Sequence, residues 1–363
     1  MHSASVGETL SLRSFIAEWQ HYHPTDNILI TTTTVTAAKI ACEQFPNVHH
    51  QFIPFDSWFW VKRFLNHWKP DRIFFVESEL WPNLITICHQ RKIPMTLLNA
   101  RLSDRSFHRW KRCHRTASTI LNMFNECLAQ GTETAERLRI LGAKNVSVMA
   151  NLKFGVKPLL VDSTLLMQLQ TYFAERPIWI AASTHKGEEA RIIDAHKVFK
   201  KKIPALVTII APRHPHRATD IYIEARKAGL TVQLLSTFRV TPQSATLDGI
   251  IVDVIGQLGT FYTACNVVFM GGSFIPHGGQ NPIEPALFGK PILYGSYMHN
   301  FREVCSILNH AGAQTVNNTE ELVIALTELF QHPNIRQQKG QTLLEAVLTQ
   351  NQTQRALIKR LGA

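Results

Sequence analysis

The stretch Val267–Pro285 reads VVFMGGSFIPHGGQNPIEP. Four apolar residues, too short a run for a helix, lead straight into Gly271 and Gly272. Gly278 and Gly279 then precede Asn281-Pro282, where a helix can begin. Strand, glycine-rich turn and helix start, in that order, make a βα unit whose turn lets the backbone approach a ligand and whose helix start offers N–H groups to a phosphate. The same grammar extends in both directions. Short β-rich runs occur at Ile28–Thr34, Ile73–Ser78, Met95–Asn99, Cys127–Gln130 and Val146–Met149. A second series occupies Ile178–Ser183, Leu206–Ala211, Thr231–Leu235, Ile250–Val254, Val267–Met270 and Ile292–Tyr294. Amphipathic helical patterns lie between them, among them Thr9–His21, Trp58–Trp68, Thr132–Leu141, Gly187–Lys201 and Glu320–Gln331. Alternation of this kind predicts an α/β protein with parallel sheets and right-handed crossovers. The segment Gly155–Ser163 (GVKPLLVDS) has no clear period and reads as a linker. Two doubly wound domains are therefore expected, residues 1–155 and 156–363. Ligands of such sheets sit at the carboxyl ends of the strands, and two facing sheets would place them in the cleft between.

Composition agrees. The chain has 363 residues, 45% hydrophobic and 18% charged, enough apolar content for two ordinary cores and too much for disorder. The six cysteines are scattered, with no CxxC pair, which argues against a cysteine zinc site and for a reducing compartment. No apolar run approaches the roughly 18 residues of a membrane span, and no signal peptide precedes the first motif. Lys and Arg outnumber Asp and Glu 38 to 27, a net +11. Much of the excess lies between Arg91 and Arg115, where eight basic residues face one acid, Asp104. Such a stretch is either a solvated face or a site for an anion: nucleic acid, phospholipid or a phosphorylated substrate.

Unusual residues stand at the predicted strand ends. Ser5-Val6-Gly7-Glu8 opens the first helix, with a carboxylate in the first turn. Glu77 and Glu79 end the apolar run IFFV, and acids there suit either acid–base work or a helix cap. Lys153 follows VSVM and could meet a developing negative charge, or lie on the surface. Arg213, after LVTIIAP, offers a fork of donors that suits a phosphate. Glu284, one turn beyond Asn281, could accept hydrogen bonds from a ribose diol. No GxGxxG, P-loop, HExxH, DxD or GxSxG occurs, so nicotinamide, ATP, zinc and serine-hydrolase readings lack support. Trp58, Trp60 and Trp68, at helical spacing, are expected to be packing residues.

Eight blocks in order along the chain, SASVGE, ESELWPN, NARLSDRS, NLKF, AASTHKGEE, APRHP, GGS and GGQNPIEPALFGKPIL, resemble the 3-deoxy-D-manno-octulosonic acid (Kdo) transferases of lipopolysaccharide synthesis. The resemblance implies the GT-B glycosyltransferase fold, two Rossmann-like domains around a cleft. It implies transfer of Kdo from CMP-Kdo to a lipid A precursor (lipid IVA), with inversion and without a bound metal or other cofactor. The N-terminal domain would bind the acceptor and carry the base, and the C-terminal domain would bind the donor. By the same resemblance Glu8 is the general base, Glu77 or Glu79 a second essential acid, and Lys153 a transition-state stabiliser. Pro212 and Arg213 would contact the donor phosphate. Ile255, Gly256, Gln257 and Asn281, Pro282, Ile283, Glu284 would make the remaining CMP contacts. The basic stretch, with Arg101, Arg105, Arg109 and Arg112, would face the phosphates of the acceptor and the anionic lipids beside it. The implied location is the cytoplasmic face of the bacterial inner membrane. The family usually begins with a hydrophobic anchor and a first strand before the SVGE block. This sequence begins Met1-His2-Ser3, so both are expected to be missing and membrane association to be peripheral. The family's Met-Gly-Glu is here Ile255-Gly256-Gln257, its Gly-Asn-Leu-Lys is Ala150-Asn151-Leu152-Lys153, and its Gly-Gly-His-Asn is Gly278-Gly279-Gln280-Asn281. The charge lost at Gln257 would weaken nucleotide binding. The rival readings are a GT-B enzyme using a UDP-sugar and a non-catalytic basic protein binding nucleic acid. No RNA-binding motif supports the latter, and nucleic acid is not an expected partner.

Overall fold

The computed structural model describes residues 1–173, 175–238 and 246–362. These divide into two compact units, Met1–Gly155 with Gln350–Ala363, and Val156–Thr349. The sequence reading placed all of 156–363 in the second domain, and the tail departs from it. The last helix, Pro333–Gly362, sends its final turns to the first unit. There Ile358 joins a core with Leu12, Phe15 and Ile16, Gln354 donates to Ser14 Oγ at 3.0 Å, and Arg355 pairs with Glu18 at 3.0 Å.

In the first unit β1 (Leu29–Thr32), β2 (His49–Phe52), β3 (Ile73–Val76), β4 (Met95–Ala100), β5 (Glu126–Ala129) and β6 (Val146–Val148) are all parallel to their neighbours. Met1–Ser3 lies between β1 and β3. His2 bridges in parallel to Thr31 on one side and Phe75 on the other, with backbone bonds His2 N–H to Phe74 O (2.8 Å) and Ser3 N–H to Thr31 O (3.0 Å). The expectation that no strand precedes the SVGE block is thus corrected, because three residues suffice to join β2-β1 to β3-β4-β5-β6. β3 shows why IFFV is apolar throughout. Phe74 and Val76 pack against the first helix, Val6–Tyr22, while Ile73 and Phe75 pack on the opposite face with Val61, Leu65 and Leu84. A parallel strand covered on both faces has no polar side to alternate with.

The second unit holds β7 (Ile178–Thr184), β8 (Val207–Pro212), β9 (Val232–Leu234), β10 (Gly249–Ile251), β11 (Val267–Met270), β12 (Ile292–Tyr294) and β13 (Gln314–Thr315), in the order β13-β12-β11-β7-β8-β10-β9, all parallel. Trp179, Ala181, Ile210, Ile251 and Phe269 face one core with the helices Glu189–Lys200, Ala218–Lys227 and Thr319–Gln331.

Each sheet reverses its winding once. In the second unit the chain runs outward from β7 through β8 on one side and returns to β11 on the other. In the first, Met1–Ser3 is the central strand, with β1 and β3 flanking it. Side-by-side strands whose crossovers leave in opposite directions open a crevice at their carboxyl ends.

Candidate active site

In the first unit the crevice lies where Met1–Ser3 and β3 end, and it gathers three titratable side chains. Ser5 caps the first helix. Its Oγ accepts from the Glu8 N–H (3.3 Å) and donates to Glu8 Oε1 (2.9 Å), while the Ala4 N–H donates to Glu8 Oε2 (2.7 Å). Both carboxylate oxygens are held in place by the start of the helix itself, a reciprocal cap. Burial pushes Glu8 up from the ordinary carboxylate range. The Ala4 and Ser5 bonds oppose this, the charge of Glu79 adds to it, and His2 opposes it.

Glu79 is moved the other way. His2 and the Trp81 indole hold it below the ordinary range against the cost of burial. Trp81 Nε1–H donates to Glu79 Oε2 at 2.9 Å, and His2 Nε2 lies 3.5 Å from the same oxygen. His2 is fully buried, edge-on to Trp81 at 5.6 Å, with Nδ1 3.0 Å from Thr31 Oγ1 and 3.2 Å from Thr31 O. Two carboxylates with pKa values driven apart are suited to different tasks, one to exchange a proton and the other to stay charged. Glu77 stands one residue past β3 in the left-handed region (φ 60°), half-buried, its N–H bonded to Leu98 O. Such a backbone costs a non-glycine residue about 1–2 kcal/mol and redirects the chain toward Glu79.

Lys153 lies in a single 3-10 turn, Leu152–Phe154, after β6. That turn crosses the ends of β4 and β5: the Leu152 N–H donates to Asn99 Oδ1 (3.3 Å), and Asn151, which bonds Gln130 (3.2 Å), accepts from the Lys153 N–H (3.0 Å). Arg101, Arg105, Arg109 and Arg112 are all exposed, the last three on the helix Asp104–Arg112, which buries no residue. Its one acid, Asp104, is engaged by Arg137. A hollow of about 680 Å³ lined by Ile28, Arg72, Ile73 and Pro94 sits at the opposite, amino ends of β1, β3 and β4. Trp58 and Trp60, expected to pack, are 43% and 51% exposed, because Val61 and Leu65 already fill the buried stripe of their helix.

In the second unit Pro212 ends β8, and the Arg213 N–H donates to Thr184 O (2.9 Å) at the end of β7. The exposed Arg213 side chain is close enough to Glu284 to offset part of the rise that burial gives that carboxyl, as does the Asn281 amide, which donates to Glu284 Oε1 (3.2 Å). The helix expected to begin at Asn281-Pro282 is a five-residue piece, Ile283–Leu287, whose first N–H is taken by Asn281 Oδ1 (3.1 Å). The helix thus starts where the sequence reading placed it, but runs for little more than one turn. Ile255 is exposed, Gly256 has φ 90°, and Gln257 Oε1 accepts from Thr260 (3.1 Å) at the start of Leu258–Ala264.

The glycine turn after β11 is also corrected. Buried Glu188 accepts from the N–H groups of Gly272 (2.7 Å), Ser273 (3.0 Å), Phe274 (2.9 Å) and His185 (2.9 Å), so a protein carboxylate fills the nest expected to receive a ligand. Gly271 is needed for another reason: a Cβ there would lie 2.6 Å from Ser183 O and from Thr184 Cα. Residues that sequence reasoning missed are His2, Glu188, His185 and His277. Each sits inside or beside a quoted block, but none has a spacing that announces a role.

Residues 1–156 match the family described as 3-deoxy-D-manno-octulosonic-acid transferase (kdotransferase). A 3-deoxy-D-manno-octulosonic acid transferase of Haemophilus influenzae is 32% identical over 357 residues, covering 96% of this chain and 82% of that protein. The chain belongs to the Kdo transferase family. The Kdo transferase of Rickettsia bellii is 32% identical over 344 residues, 94% of this chain and 81% of its own. The resemblance read from the eight blocks is borne out, and this family member is a glycosyltransferase by kinship. Its fold is GT-B. The UDP-GlcNAc 2-epimerase of Neisseria meningitidis bound to UDP-GlcNAc aligns over 100% of this chain and 99% of its own with a TM-score of 0.61 at 12% identity. Anabaena HepE in complex with UDP aligns over 99% and 98% with a TM-score of 0.60 at 14% identity.

Proposed function

We propose that this Kdo transferase-family chain moves Kdo from CMP-Kdo to a lipid A precursor at the cytoplasmic face of the inner membrane, with inversion and without a metal. The observation that carries the reading is the Glu8–Glu79 pair at the first switch point, with pKa values driven in opposite directions. Glu8 takes the proton of the acceptor hydroxyl as its oxygen forms the bond to the anomeric carbon of Kdo. The bond from that carbon to the phosphate oxygen breaks, and CMP leaves with the electron pair. Glu79, held ionised by His2 and Trp81, is the second acid, and its charge stabilises the cationic character of the sugar in the transition state. Lys153 serves the same transition state. Arg213, with Pro212, receives the donor phosphate. Ile255, Gly256, Gln257, Asn281, Pro282, Ile283 and Glu284 surround the rest of the nucleotide, Glu284 being a half-buried acceptor for its ribose. The acceptor's phosphates, and anionic lipid beside it, meet Arg101, Arg105, Arg109 and Arg112. Calorimetric titration with CMP and with UDP tests the donor. The reading expects CMP to bind at least tenfold more tightly, and a preference for UDP contradicts it.

A further inference from the structure

Three histidines of the second unit collect at its switch point. His185 follows β7, His214 follows β8 beside Arg213, and His277 lies in the turn after β11. The rings of His185 and His277 lie nearly face to face, centroids 3.8 Å apart and tilted by 35°. His214 meets His185 edge-on at 6.0 Å and stacks on His216 at 5.7 Å. His185 is only 9% exposed, whereas Arg213, His214 and His277 are exposed, so a buried imidazole sits beneath a rim of groups that carry or can accept positive charge.

Of the acids nearby, Glu284 faces Arg213 and accepts from the Asn281 amide (3.2 Å), and the other two are committed elsewhere. Glu188 accepts four backbone N–H groups, including that of His185. Glu189 is held by Thr184 Oγ1 (2.9 Å) and by both terminal guanidinium nitrogens of Arg217 (2.7 and 3.1 Å). Among the described residues no three His, Cys, Asp or Glu side chains converge to hold a metal ion. Burial first, then His277 and His214, pushes His185 down to about 4, with Glu189 opposing and Arg213 adding to the fall. The ring is neutral at neutral pH when nothing negative is bound. Gln280 Nε2 stands 2.9 Å from His185 Nε2. With the amide donating, that ring nitrogen is an acceptor and the single proton is on Nδ1. Half a turn of the Gln280 amide would present Oε1 and receive an N–H instead.

We propose that this cluster is a proton-coupled anion site, in which a phosphate-bearing ligand seated against Arg213, His214 and His277 binds together with one proton taken up by the His185–His277 pair. Two imidazoles in contact cannot both be charged, which limits the uptake to one. That the ligand is the donor's nucleotide phosphate rests on the donor reading above; the anion site itself does not. During transfer the added proton stays on the ring, where it faces the negative charge that develops on the departing phosphate.

The test is calorimetry of the whole chain at about pH 5.5 and about pH 7.5, either side of the ordinary histidine range, in two buffers of different ionisation heat. The probes are cytidine 5′-methyl phosphate, a diester that does not itself titrate there, and inorganic sulfate. Both should bind more tightly at the lower pH, by at most about tenfold per unit, with close to one proton taken up per ligand. His277→Gln, an exposed position, should flatten the pH dependence while leaving the chain folded by circular dichroism. Affinities independent of pH, heats equal in the two buffers, or an unchanged pH dependence in the folded His277→Gln variant overturn the proposal. Sulfate bound with proton uptake beside a nucleotide diester that does not bind keeps the anion site and removes the cytidine donor. A diester bound without uptake keeps the donor and removes this proposal, and binding of neither probe removes both.

Discussion

Glu8 and Glu79 differ in what surrounds them, and the difference sets what each can do. Glu8 is raised by burial and by the charge of Glu79, whereas Glu79 is lowered by His2 and Trp81. A base must be ionised to accept a proton. Activity should therefore be lost as pH falls through the raised value of Glu8, and the acid limb of kcat/KM should lie above the ordinary glutamate value of about 4.3. An acid limb at or below that value would remove Glu8 as the base. Glu8→Gln keeps both the shape and the cap but cannot take a proton. Turnover should fall by at least about two decades, with CMP affinity within about 0.5 kcal/mol of the parent, as single-turnover kinetics and calorimetry would read. Arg213→Ala should weaken CMP-Kdo binding by about 1.5–3 kcal/mol, the worth of a hydrogen bond to a charged group, and an unchanged affinity would take Arg213 out of the site. Arg213 was legible because it ends an apolar run, and Glu8 because it opens a helix inside a quotable motif. His2 was not, because its strand is three residues long and makes no apolar run. The histidine cluster was not, because its members come from three strand ends far apart in sequence.

Among the elements, the loop Gly271–Phe274 depends on one buried side chain. Glu188→Ala would leave four N–H groups without their acceptor, each worth about 1–3 kcal/mol when buried. A loss of at least about 3 kcal/mol is expected in chemical denaturation, and a loss under about 1 kcal/mol would show that the loop does not need it. The helix Asp104–Arg112 makes the opposite case, since it rests on the core only through the half-buried Phe107 and Trp110 and turns its arginines to solvent. Reversing the charge of Arg105, Arg109 and Arg112 should abolish binding to anionic vesicles, at roughly 1 kcal/mol per basic residue, while leaving the melting temperature in place. Vesicle binding that survives in the triple variant would take this helix off the acceptor face. Element types were readable wherever a strand is buried on both faces, as at Ile73–Val76 and Val267–Met270. The edge strand His49–Phe52 escaped notice because it is polar and largely exposed, and so carries no hydrophobic signature. Trp58 and Trp60 misled because aromatic side chains at helical spacing look like a core stripe whichever face they occupy.

At the scale of the whole chain, one device is used twice. Each unit winds its parallel sheet in two directions from a central strand and gathers titratable side chains where the winding reverses: carboxylates with His2 in the first unit, Arg213 with histidines in the second. The alternation of strand and helix announced this architecture, but the destination of the last helix did not follow from it. Its first turns and its last turns belong to different units, and an amphipathic pattern does not say which core it will meet. The central claim is transfer of Kdo from CMP-Kdo to a lipid A precursor. Mass spectrometry of the product tests it most directly, with CMP-Kdo generated in situ, the lipid A precursor as acceptor and a chelator present. The account predicts acceptor carrying added Kdo with the parent chain and at least about a hundredfold less with Glu8→Gln. Acceptor that stays unmodified with the parent chain, or the same yield from Glu8→Gln, would contradict it.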